Sequence, residues 1–194
     1  MGEAPQPVPA VPRVVAIGSV AELGEEAMAL LRPSLHPLEY VSLLMEKRLY
    51  PDAARFLAHA LPKREAVWWA WVSARRAAGP DPPPKIKASL QATEKWIADP
   101  SEEHRRAAMA AAQAADLGSA AGCAGLAAFF SGGSLGPPEA PPVPPGEFLT
   151  AKAVAGAIVF SSCATEPQKA PEKFQAAIAQ GVDVTKRIKL WEQP

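Results

Sequence analysis

The residues of this chain whose types could carry chemistry are three histidines, His36, His59 and His104, two cysteines, Cys123 and Cys163, and a glycine-rich run from Leu117 to Leu135. A structural zinc site needs His, Cys or carboxylate at ligand spacing on a shared face, and each histidine stands alone in sequence. A cysteine nucleophile needs a base to activate it, and whether any histidine approaches Cys123 or Cys163 is decided by the fold rather than by the sequence. Forty residues apart, Cys123 and Cys163 make no CxxC motif and no disulfide framework, which points to a reducing compartment with a single disulfide as the other option. The glycine-rich run lacks the Lys-Ser/Thr that ends a phosphate-cradling loop, and GxSxG and HExxH are absent. It reads instead as a tightly packed helix with Phe129 and Phe130 in the core, or as the wall of a small pocket beside Cys123. The Gly118/Gly122 spacing matches a GxxxG contact, but in an apolar run too short for membrane use. The sequence therefore predicts no catalytic residue, no metal and no cofactor.

Charge narrows the partners. Twenty Lys/Arg balance twenty Asp/Glu, so no global field attracts nucleic acid or an anionic membrane. Arg105-Arg106 and the basic cluster at 186–189 could touch phosphates, but no helix carries a basic stripe interleaved with aromatics. The most apolar run, Phe148 to Cys163, contains Lys152 and falls short of the roughly 20 residues of a bilayer span. No signal peptide is recognisable, and the expectation is a cytoplasmic protein that binds neither nucleic acid nor membrane.

The elements that would position these residues are helices. Lys63 to Arg76 holds three of the five tryptophans, opens after Pro62 and stops at Gly79-Pro80. Val67, Ala70, Trp71 and Ala74 make one apolar face, widened by Trp68 and Val72. Trp69 stands about 200° from Val67, in a row with Glu65, Ser73 and Arg76, and needs a second neighbour. It either packs on an adjacent helix or faces a partner. Aromatic residues and arginine dominate interface hot spots, so Trp69 and Arg76 are candidate partner-binding residues. Trp191, at the end of the basic tail, is a third, although the tail is expected first to dock on the domain and only second to serve as a partner-binding peptide.

Along the chain, residues 1–18 read as a Pro-rich arm with a short strand at 13–17. Residues 19–135 form the first part of a helical domain. Ser19 with Glu22 is expected to cap a helix running to Leu31, and Asp99-Pro100-Ser101-Glu102 to open another with Asp99 as N-cap. In the helix after Pro51, Asp52, Arg55 and His59 fall on the outward stripe, making His59 solvated surface. Residues 136–146 are a Pro-rich linker or ordered loop, with Pro138 and Pro141 fitting PxxP. Residues 147–182 pack as C-terminal helices on the same domain, with Phe160 in a core helix, and 183–194 form the basic tail. The expected fold is all-α: seven to nine short helices in an irregular bundle or solenoid of antiparallel pairs. The stretch 51–61 has the spacing of a tetratricopeptide helix, but no 34-residue repeat exists.

The run Ala60-Leu-Pro-Lys-Arg-Glu-Ala-Val-Trp-Trp-Ala70, followed by Ala74-Arg75, resembles the hallmark of an uncharacterised bacterial all-helical family of about this length, and the helical arrangement is similar over residues 30–180. The resemblance implies a setting, the gene neighbourhoods of type VI secretion and related contractile machines, and no functional residue. Two classes follow: a non-catalytic adaptor or accessory protein of a bacterial multiprotein assembly, with a protein partner, or a small-molecule-binding or enzymatic domain with its pocket near Cys123.

Overall fold

Proline and short polar side chains set most of the helix boundaries, as their chemistry requires. The computed structural model describes residues 13–137 and 139–192. Among these are ten α-helices and no strand: α1 Arg13–Val20, α2 Glu25–Leu30, α3 Pro37–Glu46, α4 Tyr50–Ala60, α5 Lys63–Ala78, α6 Pro84–Ala98, α7 Glu102–Ala114, α8 Ala120–Phe129, α9 Leu149–Cys163 and α10 Ala170–Arg187, with a single 3₁₀ turn at Pro167–Lys169. The protein is thus all-α. His36 caps α3, its Nδ1 accepting from the Leu38 N–H at 3.2 Å while Glu39 accepts from the His36 N–H at 2.8 Å. Gly79 ends α5 at φ +74°, a conformation that suits glycine.

Three local expectations are corrected. Arg13 to Ile17 is helix, not strand, because Val14 and Gly18 recur at helical spacing and are both buried, with Leu31 closing tightly over Gly18. The chain then breaks at Glu22, φ +50°, so that Ser19 lies inside α1 and caps nothing. At the start of α7 the cap is Ser101, whose Oγ accepts from the His104 N–H at 3.2 Å; Asp99 instead closes the end of α6.

The centre of the molecule is α5 with α9. α5 packs on α6, α8, α9 and α10, and α9 on α4, α5, α8 and α10. Small residues permit this crowding: a Cβ on Gly125 of α8 would stand 2.9 Å from the Ala108 carbonyl oxygen of α7. One contiguous core runs from Val14 to Leu190, its largest fully buried side chains being Trp69, Tyr40 and Phe56. Burial pushes the Tyr40 hydroxyl up to about 12, and it donates to the Ala27 carbonyl at 2.7 Å. Phe160, expected in the core, is 37% exposed on the outer face of α9.

The segment after α8 is ordered by arginine. Arg105, only 3% exposed, donates to the Phe129 carbonyl at 2.5 Å and to the Ser134 carbonyl at 2.8 Å, and Arg106 donates to the Gly136 carbonyl at 2.9 Å. Leu135 N–H then bonds the Val143 carbonyl at 2.8 Å. These two arginines, read in the sequence as candidates for phosphate, are engaged inside the chain. The N-terminal arm through residue 12 and Pro138 of the PxxP pattern lie outside the described residues.

Candidate functional site

The row Trp69, Ser73, Arg76 on the second face of α5 points at α10. Trp69 is wholly buried there, and its Nε1–H donates to the Ala177 carbonyl at 2.8 Å. Gly181 makes room for the ring: a Cβ at that position would lie 2.9 Å from Trp69 Cε2 and Cζ2. The second neighbour that Trp69 needs is therefore α10, and the side chain leaves no surface to an outside partner in the folded chain. The partner-facing reading of Trp69 is corrected on that ground.

One and two turns further along, the same row opens. Ser73, Arg76, Ser161 of α9 and Lys169 and Lys173 of the α10 start line a pocket of about 330 Å³. On its other side Arg76, with Trp71, Val72 and Arg75, lines a larger cleft of about 640 Å³ between α5 and α6, held open by the Gly79–Pro82 connector. Trp71 is fixed in that wall by donation from Nε1 to the Leu90 carbonyl at 2.9 Å, and the Arg75 guanidinium stands over its ring at 5.2 Å. Arg76 is exposed and sits between the two concavities, so of the three residues singled out in the sequence it is the one placed at an open surface.

Trp191 is half-buried. Its ring meets His36 edge-on at 6.2 Å, and the preceding Leu190 is buried, its carbonyl accepting from Arg13 at 2.9 Å. The tail thus docks back on α1 and α3, far along the chain from Arg76.

The potential chemical groups lie apart. Cys123 is buried with its Sγ donating to the Leu117 carbonyl at 3.2 Å, and burial, with Asp116 adding to it, pushes the thiol up to about 11. A Cβ on Gly156 would touch that sulfur at 3.4 Å, so α9 fills the space beside it. Cys163 is free and exposed. Among the described residues no three His, Cys, Asp or Glu converge as a metal would require, and no helix is long and apolar enough to cross a membrane.

His59 differs from its sequence reading. Two members of the stripe taken as solvated are covered: Asp52 is buried and accepts from the Gly24 N–H at 2.9 Å, and the His59 ring is half-buried with Phe148 5.7 Å away. His59 Nδ1 lies 2.8 Å from the Arg55 carbonyl, which fixes the proton on Nδ1 and leaves a buried, unpartnered lone pair on Nε2. Burial lowers its pKa from the ordinary 6.5, with Lys152 lowering it further and the Arg55 carbonyl and Glu22 opposing. The unfolded chain then takes up a proton that the folded chain refuses, so stability is complete above pH 6.5 and falls as pH drops below it. Melting temperatures between pH 7.5 and 5.5 should fall less in His59→Gln than in the parent.

Ser73 and Ser161 were missed in the sequence. Nothing local marks a helical serine as unpartnered, since most bond back to their own helix; the only available signal was the position of Ser73 in the Trp69 row.

Comparison with known proteins agrees with the sequence resemblance at the level of family. No curated protein and no solved structure matches the chain. A family model does, over residues 40–185, which runs from within α3 to the last turn of α10 and takes in the tryptophan helix and both concavities beside Arg76. The chain belongs to this family of unknown function, DUF6931.

Proposed function

We propose that the protein is a non-catalytic adaptor or accessory protein of a bacterial multiprotein assembly, with a protein partner received in the α5–α6 cleft. The observation that carries this reading is the composition of that cleft: Trp71 held rigid by its hydrogen bond, Arg75 over its ring, Val72 half-buried beside them and Arg76 at the rim. Rigid aromatic and arginine side chains lining a concave surface are what interface hot spots are made of. The partner it suits presents an apolar side chain to Trp71 and Val72 and carboxylates to the arginines. A type VI secretion system or related contractile machine is the proposed setting; it rests on the Ala60–Ala70 motif, and the cytoplasm is its proposed compartment. The alternative, a ligand pocket at Cys123, has less support because that thiol is protonated, bonded to a carbonyl and packed against α9.

The test is a Val72→Asp/Arg75→Glu variant, checked for an unchanged melting transition, used beside the parent to capture partners from host lysate. One specific protein should be lost by the variant and should bind the purified parent at least tenfold more tightly. A capture profile identical for the two proteins sinks the cleft as a docking surface.

A further inference from the structure

We infer that the pocket between α5, α9 and the start of α10 binds a small monocarboxylate, gripped by the Arg76 guanidinium and the Ser73 and Ser161 hydroxyls. This goes beyond the adaptor reading and uses a different concavity.

Three observations converge. First, Ser73 and Ser161, 4% and 7% exposed, have no hydrogen-bond partner, although both line the pocket. Buried hydroxyls in folded proteins are almost always satisfied, so two orphans in one wall ask for an occupant. Ser162, next to Ser161, shows the ordinary alternative: it bonds its own helix at the Ile158 carbonyl, 2.9 Å away. Thr150, near the other end of α9, is also buried without a partner; what sets Ser73 and Ser161 apart is that both line one pocket together with Arg76.

Second, the pocket contains one uncommitted cation. Lys169 is 2.5 Å from Glu166 Oε1, and Lys173 donates to the Thr165 carbonyl and hydroxyl and stands 3.7 Å from Glu166 Oε2. The Arg76 carbonyl accepts from the Gly79 N–H, but its guanidinium has no hydrogen bond or ion pair among the described residues. Its planar fork is matched to a carboxylate, which it can hold through two parallel hydrogen bonds.

Third, the charge around the pocket selects the size of the anion. Arg76, Lys169 and Lys173 face Glu166 and Glu172, a surplus of one positive charge. A singly charged carboxylate neutralises it. A phosphate dianion would leave a surplus negative charge beside two glutamates. The volume, about 330 Å³, lies at the small end of ligand pockets, and the free Glu172 carboxylate suits a ligand that also carries a hydroxyl or ammonium group. The turn that brings Glu166 to its lysines is itself held at φ +44°, a costly conformation for a non-glycine residue and one that clusters at ligand clamps.

The experiment titrates the full ¹⁵N-labelled chain with L-lactate, L-alanine, inorganic phosphate and the neutral isostere L-lactamide, following amide and Arg Nε resonances. Lactate or alanine should give saturable shifts at Ser73, Arg76 and Ser161, and lactamide none. Arg76→Gln, and separately Ser73→Ala with Ser161→Ala, should weaken the binding at least tenfold while melting as the parent does. Absence of saturable shifts from both carboxylates, persistence in Arg76→Gln, or equal binding of lactamide or phosphate would each overturn the assignment. Val72→Asp/Arg75→Glu lies outside this pocket and should bind lactate as the parent does, so the cleft and the pocket fail or stand separately.

Discussion

Trp69→Ala is expected to lower the stability of the fold by about 3–5 kcal/mol, the range for removing a large aromatic side chain from a core. The ring is fully buried between α5 and α10, and its Nε1–H bond to the Ala177 carbonyl disappears with it. Because α10 touches the rest of the molecule through α4, α5 and α9, the variant should unfold α10 early, seen as faster amide exchange from Phe174 to Val184. The sharper result concerns Gly181. Glycine in the middle of an exposed helix is ordinarily worse than alanine by roughly 0.5–1 kcal/mol, yet here an added Cβ meets the Trp69 ring at 2.9 Å and Leu57 Cδ1 at 3.3 Å. An indole locked by its own hydrogen bond cannot retreat, so Gly181→Ala alone should cost about 1–3 kcal/mol by overpacking. In the Trp69→Ala background the same change should be neutral or stabilising. Denaturant unfolding of the four proteins measures this; additive energies would mean that the ring and the glycine do not constrain each other.

That pair shows what the sequence could and could not convey. The 200° offset of Trp69 from its apolar face announces a second packing surface, but α10 is supplied by residues more than a hundred positions later, and only Gly181 hints at where the ring fits. The helical class follows from proline spacing and apolar periodicity alone. The outward stripe of α4 misled because Gly24 and Phe148, which cover it, come from other segments; α1, which also packs on α4, was missed because its Val14-Val15 and Ile17 have β-branched side chains that favour strand in isolation. Burial then turned that segment into helix, while Gly24 and Phe148 cover Asp52 and His59. At the candidate sites the arginine row was readable as a face of α5. The pocket was not, since it depends on two serines that fail to bond their own helices, a fact of packing rather than of residue type.

Arg105 was equally hidden, and it carries the second large effect. The sequence offers Glu102 an i,i+4 pair with Arg106, but Arg105 at i,i+3 is equally within reach. In the fold Arg105 takes the inner position, bidentate to Glu102 at 2.6 and 2.8 Å, stacked 4.4 Å over Phe129 and donating to two carbonyls of the segment that follows α8. Arg105→Met keeps the stem and removes the fork. It leaves the Phe129 carbonyl without that donor, worth roughly 1–3 kcal/mol when a buried group loses its partner, and the part-buried Ser134 carbonyl with only the Arg106 bond at 3.4 Å, so a loss of about 2–3 kcal/mol is expected. Arg105→Lys should recover little of it, because one ammonium cannot span a carboxylate and two divergent carbonyls. Amide exchange should accelerate at Leu135, whose N–H holds Val143 across the loop, before it does in α7 itself.

The pH profile separates this role from simple space filling. Hydrogen bonds from Arg105 first, then Arg106, hold the Glu102 carboxyl down at about 2 from its ordinary 4.5. A carboxylate that is depressed in the folded state stabilises it above pH 4.5, and that contribution drains away as pH falls toward 2. Glu102 is about half exposed, so solvent screens much of the energy and the acid limb is shallow. In Arg105→Met the Glu102 carboxyl should rise toward 4.5, held back only by Arg106, and the stability difference between parent and variant should narrow from pH 5 to pH 3. A difference constant across that range would mean that the pairing of Arg105 with Glu102 contributes nothing to stability, and that Arg105 acts only through its carbonyl bonds and its contact with Phe129.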